Sequence, residues 1–433
     1  MFVHILQRDM TMEKHTKDNN GNHNNHNVHN VGKKQNRLFY GFVRSLSWVV
    51  SRVLFKRVVL RNELKGKKGP LVVIANHEAA LDFVNLITAT REPMHFVISS
   101  SFYGLLPCKW LVSRLGLIPK QQFQTSLHDI TAMRHTVESG EILVIYPAGL
   151  MCEDGVSTPI PDATYKFLKW LKADIYVART EGTYFCTPKW ATARKRRPGR
   201  TYIDIYKLYD KDVIADLSEE EIRHGVGEAL LFDAYRDQEK RLVKYSGGSD
   251  VRGLENVLYL CPHCNAEFTV GVRDRNTLFC SKCGFAQSAD DYGFLHKCGE
   301  VGEELRYVSD WNSLVLEHER RIIEAGDTPS LTSEVAIKVP NRKKNCFVEG
   351  GNATVTLTDT HFHIEGCICG EPLDLKVPIA CFASLPFSPG RYFEIQHGDD
   401  IFRCYPTDPS LVMKFINRVK IYYEIHTAAH AEE

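Results

Sequence analysis

The sequence predicts an α/β domain with a largely parallel sheet, then a small cysteine-rich ribbon, then a β-rich unit capped by a C-terminal helix. Three observations lead there. Short continuous apolar runs alternate with helical patterns from about residue 70 to 243, which is how a parallel sheet covered by helices reads. Cys261, Cys264, Cys280 and Cys283 form C-x2-C-x15-C-x2-C. From about Ser333 the pattern changes to period-two strands followed by one helix.

Length and composition bound the answer. A chain of 433 residues holds about two or three domains. Lys and Arg number 54 against 53 Asp and Glu, for a net charge of +1, with 43% hydrophobic and 25% charged residues. That balance excludes a wholesale nucleic-acid binder and a solvating disordered chain. No run approaches the roughly 18 apolar residues of a spanning helix. The opening MFVHILQRDM is too short and lacks a small-residue cleavage site, so it does not read as a secretion signal. Thirteen cysteines, several in CxxC pairs, point to reduced thiols and a metal, hence to a cytoplasmic setting.

Taken in order, residues 1–36 read as a disordered tail, because the Asn/His-rich run 14–36 offers almost nothing to bury. Low-complexity filler is its plain reading; metal binding by His23, His26 and His29 is the sharper one. Residues 37–62 read as a basic amphipathic helix. From Lys33 to Arg61 there are eight Lys/Arg and no acid, and Leu38, Phe39, Phe42, Val43, Leu46, Val49, Val50, Val53 and Leu54 share one helical face. Such a helix suits a membrane interface with anionic lipids. The alternative is an ordinary amphipathic helix docked on the following domain, with Trp48 and Phe55, which lie on the basic face, making further contacts. The α/β domain spans 63–250, with strands at LVVIAN, ILVIYP and ADIYVART, Gly140 as a helix C-cap and Ser218/Glu221 as a capping box. A charged helical stretch runs from Ser218 to Val243, and SGGSDVRG reads as a linker.

The ribbon spans 255–300. Each CxxC turns back so that both thiolates face one ion, and two such knuckles complete a tetrahedron; four thiolates leave no open position, so the expected Zn2+ is structural. His296 and Cys298 read as loop residues beside it. The unit at 330–426 has several antiparallel strands and a final helix with Asp408 as N-cap. It resembles a pleckstrin-homology or GRAM-like barrel, a resemblance of pattern without a site motif. Cys367 and Cys369 have no matching pair and do not read as ligands.

The chemistry sits in Asn76-His77-Glu78-Ala79-Ala80-Leu81-Asp82. An H-x4-D string alone says little, since His4 and Asp9 form another one. This copy follows an apolar strand and opens a helix, at the carboxyl end of a sheet where ligands of open α/β folds bind. A histidine held by a carboxylate through one ring nitrogen can act as a general base through the other.

NHEAALD resembles the NHxxxxD motif of the PlsC-like glycerolipid acyltransferases. LGLIPK at 115–120 looks like that family's second block, LVIYPAG like its third and ADIYVARTEGTYFCTPKW like its fourth, ending near Pro188. The resemblance covers about residues 38–210. It implies acyl transfer from acyl-CoA or acyl carrier protein to a lysophospholipid hydroxyl such as that of 1-acylglycerol-3-phosphate. His77 would be the base and Asp82 its orienting partner, with Lys120, Pro147, Gly149 and Asn76 at the acceptor site. It also implies work at the inner membrane face, which the basic helix would anchor.

Two departures stand out. Lys120 replaces the family's phosphate-binding Arg and forfeits the bidentate fork. Ala148 replaces its Glu, for which Glu153 or Glu78 would have to compensate. The expected function is acyl transfer; the alternative is an inactive membrane-docked adaptor built on a degenerate domain. The acid-free cluster Lys189, Arg194, Lys195, Arg196, Arg197 and Arg200 would meet lipid headgroups, CoA phosphates or a carrier protein, or be a solvated loop. No aromatic-interleaved motif accompanies it, so nucleic acid is not the expected partner.

Overall fold

The structure is a computed structural model that describes residues 35–100, 113–120, 127–193, 196–326, 328–341, 346–398 and 400–429. Nearly all of the expected disordered tail, with its histidines, lies outside the described residues, as do Arg194 and Lys195.

A seven-stranded sheet organises the first half. Its strands are β1 (Val58–Asn62), β2 (Leu71–Ala75), β3 (Met94–Ser99), β4 (Ile118–Lys120), β5 (Ile142–Ile145), β6 (Asp174–Glu181) and β7 (Tyr202–Tyr209), in the order β1-β7-β6-β2-β5-β3-β4. Only the β6–β7 pair is antiparallel; β2, β5 and β3 run parallel side by side. β2 and β5 are buried at every residue, which is why LVVIA and ILVI are unbroken apolar runs.

Alternate residues of β2 serve two layers. Val72 and Ile74 face a core shared with helices α3 (Leu127–Glu138), α4 (Ala163–Trp170) and α5 (Glu219–Leu230). Leu71, Val73 and Ala75 face the layer of α1 (Arg37–Val53) and α2 (Asp82–Ile87). Gly140 closes α3 at φ +77°, and Ser218 with Glu221 forms both halves of the capping box on α5. The charged stretch 218–243 is two helices. Leu231 turns extended, and the Asp233 carboxylate accepts from the Tyr235 and Arg236 amides to open α6 (Ala234–Arg241).

The basic helix differs from expectation in three ways. It stops at Val53, and the β-branched Val58-Val59 continue as an edge strand parallel to β7. Gln35 and Asn36, assigned to the tail, are ordered: the Gln35 amide donates to Met94 O and Leu115 O (both 2.9 Å) and Asn36 caps the helix. The face that docks is mixed, with small polar residues between Tyr40, Val43, Val50 and Leu54. Tyr40, Ser47 and Ser51 are buried and Arg44 donates to Thr90 O at 2.7 Å. Leu38 (88% exposed), Phe42 (65%) and Val53 (67%) point away from the domain. The apolar face is therefore divided: Val43, Val50 and Leu54 pack on the domain, as does Phe55, while Leu38, Phe42, Leu46, Val49 and Val53 stay exposed. Among the described residues no helix is long and apolar enough to cross a membrane.

Four antiparallel strands, β8 (Val270–Arg273), β9 (Thr277–Cys280), β10 (Ala286–Ala289) and β11 (Leu295–Lys297), make the cysteine-rich unit. Helix α7 (Val308–Glu324), which the sequence reading passed over, follows it; its Val308, Trp311 and Val315 are buried at helical spacing. The C-terminal sheet comprises β12 (Leu331–Asn341), β13 (Cys346–Leu357), β14 (His361–Ile368), β15 (Glu371–Pro378), β16 (Phe387–Ser388), β17 (Tyr392–His397) and β18 (Asp400–Pro406). All its pairs are antiparallel, in the order β15-β14-β13-β12-β18-β17-β16. Among the described residues its edge strands β15 and β16 do not pair, so the expected barrel is an open, seven-stranded sheet. Helix α8 (Leu411–Ala429) packs on it through Phe415, 4.9 Å from the Phe393 ring. Asp408 sits before the helix and accepts from the Ser410 amide, so it caps the preceding turn.

These units share one core. Phe55 and Tyr184 of the first domain, Tyr259 and Phe285 of the ribbon and Phe362 of the last sheet belong to a single buried cluster. SGGSDVRG is accordingly no loose linker: the buried Arg197 guanidinium donates to Gly248 O and Asp250 O, and a Cβ on Gly248 would lie 2.6 Å from Asp291 O. Glu319 on α7 has no exposed surface and accepts from Tyr259 Oη (3.0 Å) and Arg418 Nε (3.0 Å), tying the ribbon to α7 and α8.

Candidate active site

β2 ends at Ala75, and the polar turn that follows places His77 at the carboxyl edge of the sheet. Its Nδ1 lies 3.0 Å from Asp82 Oδ2, and the same oxygen accepts from the Ala79 amide at 2.9 Å. Asp82 is 1% exposed and His77 20%. With the carboxylate accepting, Nδ1 carries the proton and Nε2 presents its lone pair, the arrangement a general base needs. The Tyr146 ring, at the end of β5, lies against the imidazole with centroids 4.4 Å apart. Sequence reasoning had Tyr146 only as a strand residue; its place just before Pro147 was the available signal.

His77 borders a cavity of about 280 Å³ whose other walls include Ala148, Leu150, Ile160, Tyr165 and Leu230. Pro147 and Ala148 form the corners of a turn closed by the Gly149 amide on Tyr146 O at 3.0 Å, with Gly149 at φ +71°. Asn76 also lines the cavity, but its carboxamide is engaged at both ends by the Thr180 backbone (2.8 Å each), which ties the turn to β6. Lys120 ends β4, three strand positions from β2, or about 14 Å. Burial lowers the pKa of its ammonium group and Asp129 partly offsets this.

Neither candidate for replacing the missing Glu at position 148 faces the cavity. The Glu78 side chain is fully buried and its Oε2 accepts from Thr183 Oγ1 and the Tyr184 amide, both at 3.0 Å. Burial first, then the charge of Asp82, pushes its pKa up to about 8, so it is neutral at physiological pH. Glu153 is ion-paired with Lys420.

The basic cluster is likewise divided. Lys189 is half-buried, with Nζ 3.4 Å from Met151 O, and desolvation of its ammonium group pushes its pKa down to about 7. Arg197 is the buried clamp described above, while Arg196 and Arg200 are exposed. Two of the six charges are therefore structural.

A second constellation lies in the ribbon. The sulfurs of Cys261, Cys264, Cys280 and Cys283 lie within 4.8 Å of one another, with Cys261–Cys283 at 3.6 Å and Cys264–Cys280 at 3.8 Å. A tetrahedral zinc with ~2.3 Å bonds to sulfur requires about 3.8 Å between sulfurs, so the donor set fits. Both knuckles turn through a left-handed residue after the second cysteine, Asn265 (φ +53°) and Gly284 (φ +80°). His296 pairs with Asp290 at 2.9 Å and stands outside the cluster, as does Cys298.

Residues 56–187, which hold the His77–Asp82 pair, match the Acyltransferase family model. They make up less than a third of the chain and define an acyltransferase-type domain. No curated protein is similar enough in sequence to match. Among solved structures, the chain is similar to the 1-acyl-sn-glycerophosphate (LPA) acyltransferase PlsC from Thermotoga maritima, at 17% identity and a TM-score of 0.38 over 47% of this chain and 78% of that one.

The buried Glu78 gives a test of this electrostatic picture. Below its ordinary pKa of 4.5, folded and unfolded chains both hold the proton. As pH rises towards 8 the unfolded chain releases it first, so Glu78 withdraws stability across that window and no more above it. Glu78→Gln should match the wild type near pH 4 and exceed it at pH 8 by on the order of 3–5 kcal/mol in urea unfolding. Equal stability of the two at pH 8 would disprove the assignment.

Proposed function

We propose that this chain transfers a fatty acyl group from an acyl thioester, acyl-CoA or acyl carrier protein, to the hydroxyl of a lysophospholipid such as 1-acylglycerol-3-phosphate. The observation that carries the reading is the His77–Asp82 pair, at the strand end of an acyltransferase-type segment and beside an apolar cavity. His77 Nε2 takes the acceptor's hydroxyl proton as its oxygen attacks the thioester carbonyl. The C–S bond of the tetrahedral intermediate breaks, and the imidazolium returns its proton to the departing thiolate. Asp82 orients the ring and stabilises its charged form. Lys120, Pro147, Gly149 and Asn76 belong to the acceptor side in this reading, with Lys120 as a point charge for phosphate.

The enzyme works at the cytoplasmic membrane surface. The outward stripe of Leu38, Phe42, Leu46, Val49 and Val53 enters the interface, flanked by Arg37 and Arg52. The four thiolates hold one structural Zn2+, and the C-terminal sheet with α8 is a PH- or GRAM-like unit. The unoccupied position of the family's Glu, taken by Ala148, favours a second reading as an inactive membrane-docked adaptor.

Radiolabelled acyl transfer to lysophosphatidic acid separates the two. Turnover should fall below detection in His77→Ala and by about 10²–10⁴ in Asp82→Asn; unchanged activity in His77→Ala would remove the mechanism. Pelleting with anionic phosphatidylglycerol vesicles should fall sharply in Leu38→Asp/Phe42→Asp, and equal pelleting would remove the anchor. Elemental analysis should find one zinc per chain, lost with much of the folded fraction in Cys280→Ser. A metal-free native protein would refute the zinc site.

A further inference from the structure

One loop, residues 148–156, is strung between the catalytic turn and two C-terminal helices. On the catalytic side, Leu150 lines the His77 cavity. The Cys152 amide donates to His77 O at 3.2 Å, and Cys152 Sγ lies 3.5 Å from Glu78 O. On the other side, neighbouring carboxylates reach different helices: Glu153 pairs with Lys420 of α8, and Asp154 Oδ2 accepts from Asn312 Nδ2 of α7 at 2.8 Å. Glu153 is 6% exposed and Asn312 1%.

Lys189, one residue past Pro188, completes the joint. Its Nζ contacts Met151 O in the same loop and lies 3.2 Å from the centre of the Phe387 ring on β16. Burial alone would raise the Glu153 carboxyl; Lys420 and Lys189 outweigh it and hold the group below its ordinary value. Glu153 thus remains a buried anion whose position depends on a cation supplied by the C-terminal helix. Removing that cation leaves Glu153 facing Lys189 alone and breaks the contact that fixes this end of the loop to α8, so the loop is free to shift. The moving segment holds the backbone of His77, and displacements near 1 Å at reacting groups cost about 10²-fold in rate.

We propose that the C-terminal helix is a built-in part of the acyl-transfer site: Lys420, acting through Glu153, positions the loop that holds His77, which makes Glu153 and Lys420 positioning residues for the reaction. The proposal rests on the acyl-transfer reading of His77. It gives the last sheet and α8 a role in catalysis besides any lipid or protein contact. The null is an ion pair that only stabilises the fold. Arg320 and Glu424 supply the control, because they pair across the same two helices with neither residue on the loop.

The test compares Lys420→Met, Glu153→Gln, their double variant, Lys420→Arg and Arg320→Ala in the full chain. Steady-state acyl transfer and the ¹⁵N-labelled His77 ring resonance, assigned by its loss in His77→Ala, are the two readouts. Lys420→Met and Glu153→Gln should each lower kcat by about tenfold or more with KM within about twofold. The double variant should be no worse than the poorer single one, as expected for one coupled pair. Lys420→Arg should restore most of the rate, the His77 resonance should move in both impaired single variants, and Arg320→Ala should leave both readouts alone. Folded Lys420→Met with unchanged kcat and an unchanged His77 resonance would overturn the proposal. Should Lys420→Met not fold, the near-isosteric Glu153→Gln decides in the same way. Should the wild type transfer no acyl group, the functional reading fails on its own, and the His77 resonance still decides whether the joint positions the ring.

Discussion

A single carboxylate oxygen carries the geometry of the His77 turn. Asp82 Oδ2 accepts from both the His77 ring and the Ala79 amide, so it shapes the turn and fixes the imidazole in one contact. That is practicable only because the oxygen is buried, where a charge-assisted hydrogen bond is not diluted by water. The burial comes from the sheet. β2 is covered on both faces, and its end delivers His77 to the edge where the apolar run stops and polar groups reach the surface.

The same low dielectric sorts the neighbouring acids. Glu78 and Asp82 share a turn four residues apart, yet Glu78 is pushed towards neutrality by its burial and by Asp82. Two carboxyls with divergent environments take different roles: one orients the histidine, and the other seals the turn against Thr183 and Tyr184. Glu153 keeps its charge in an equally buried place because two lysines face it. Farther on, the buried Glu319 is paired with Arg418 and Lys414. Glu153 ties the first domain to α8 and Glu319 ties the ribbon to α7 and α8, so the ribbon and the last sheet are not appendages on a linker.

Much of the fold was legible. β2, β5 and β6 were readable because strands buried on both faces are continuous apolar runs, and the CxxC pairs because spacing alone brings thiolates together. The capping box was readable because it is local, Ser218 to Glu221. Helix α7 was readable too, through Val308, Trp311 and Val315, and was passed over. The misreadings share one cause: they concern which neighbour a residue meets. Val58 and Val59 extend a helical pattern on paper but pair with β7. SGGSDVRG looks like a linker but its Gly248 and Asp250 carbonyls accept from Arg197, and Arg197 looks like part of a solvated patch but is buried.

The sequence by itself determined which residues stand together locally: a histidine and an aspartate at the end of an apolar strand, and four thiols at a spacing that lets them converge. Those are local patterns, set by covalent spacing and by the period of strands and helices. Tertiary structure alone decided how the chemistry is supported. It turned Leu38, Phe42, Leu46, Val49 and Val53 of α1 outward, closed Glu78 and Glu153 away from the cavity, and set Lys420, 267 residues along the chain from Glu153, against the loop 148–156. Such pairings depend on which surfaces meet after collapse, and burial then sets what each charge can do.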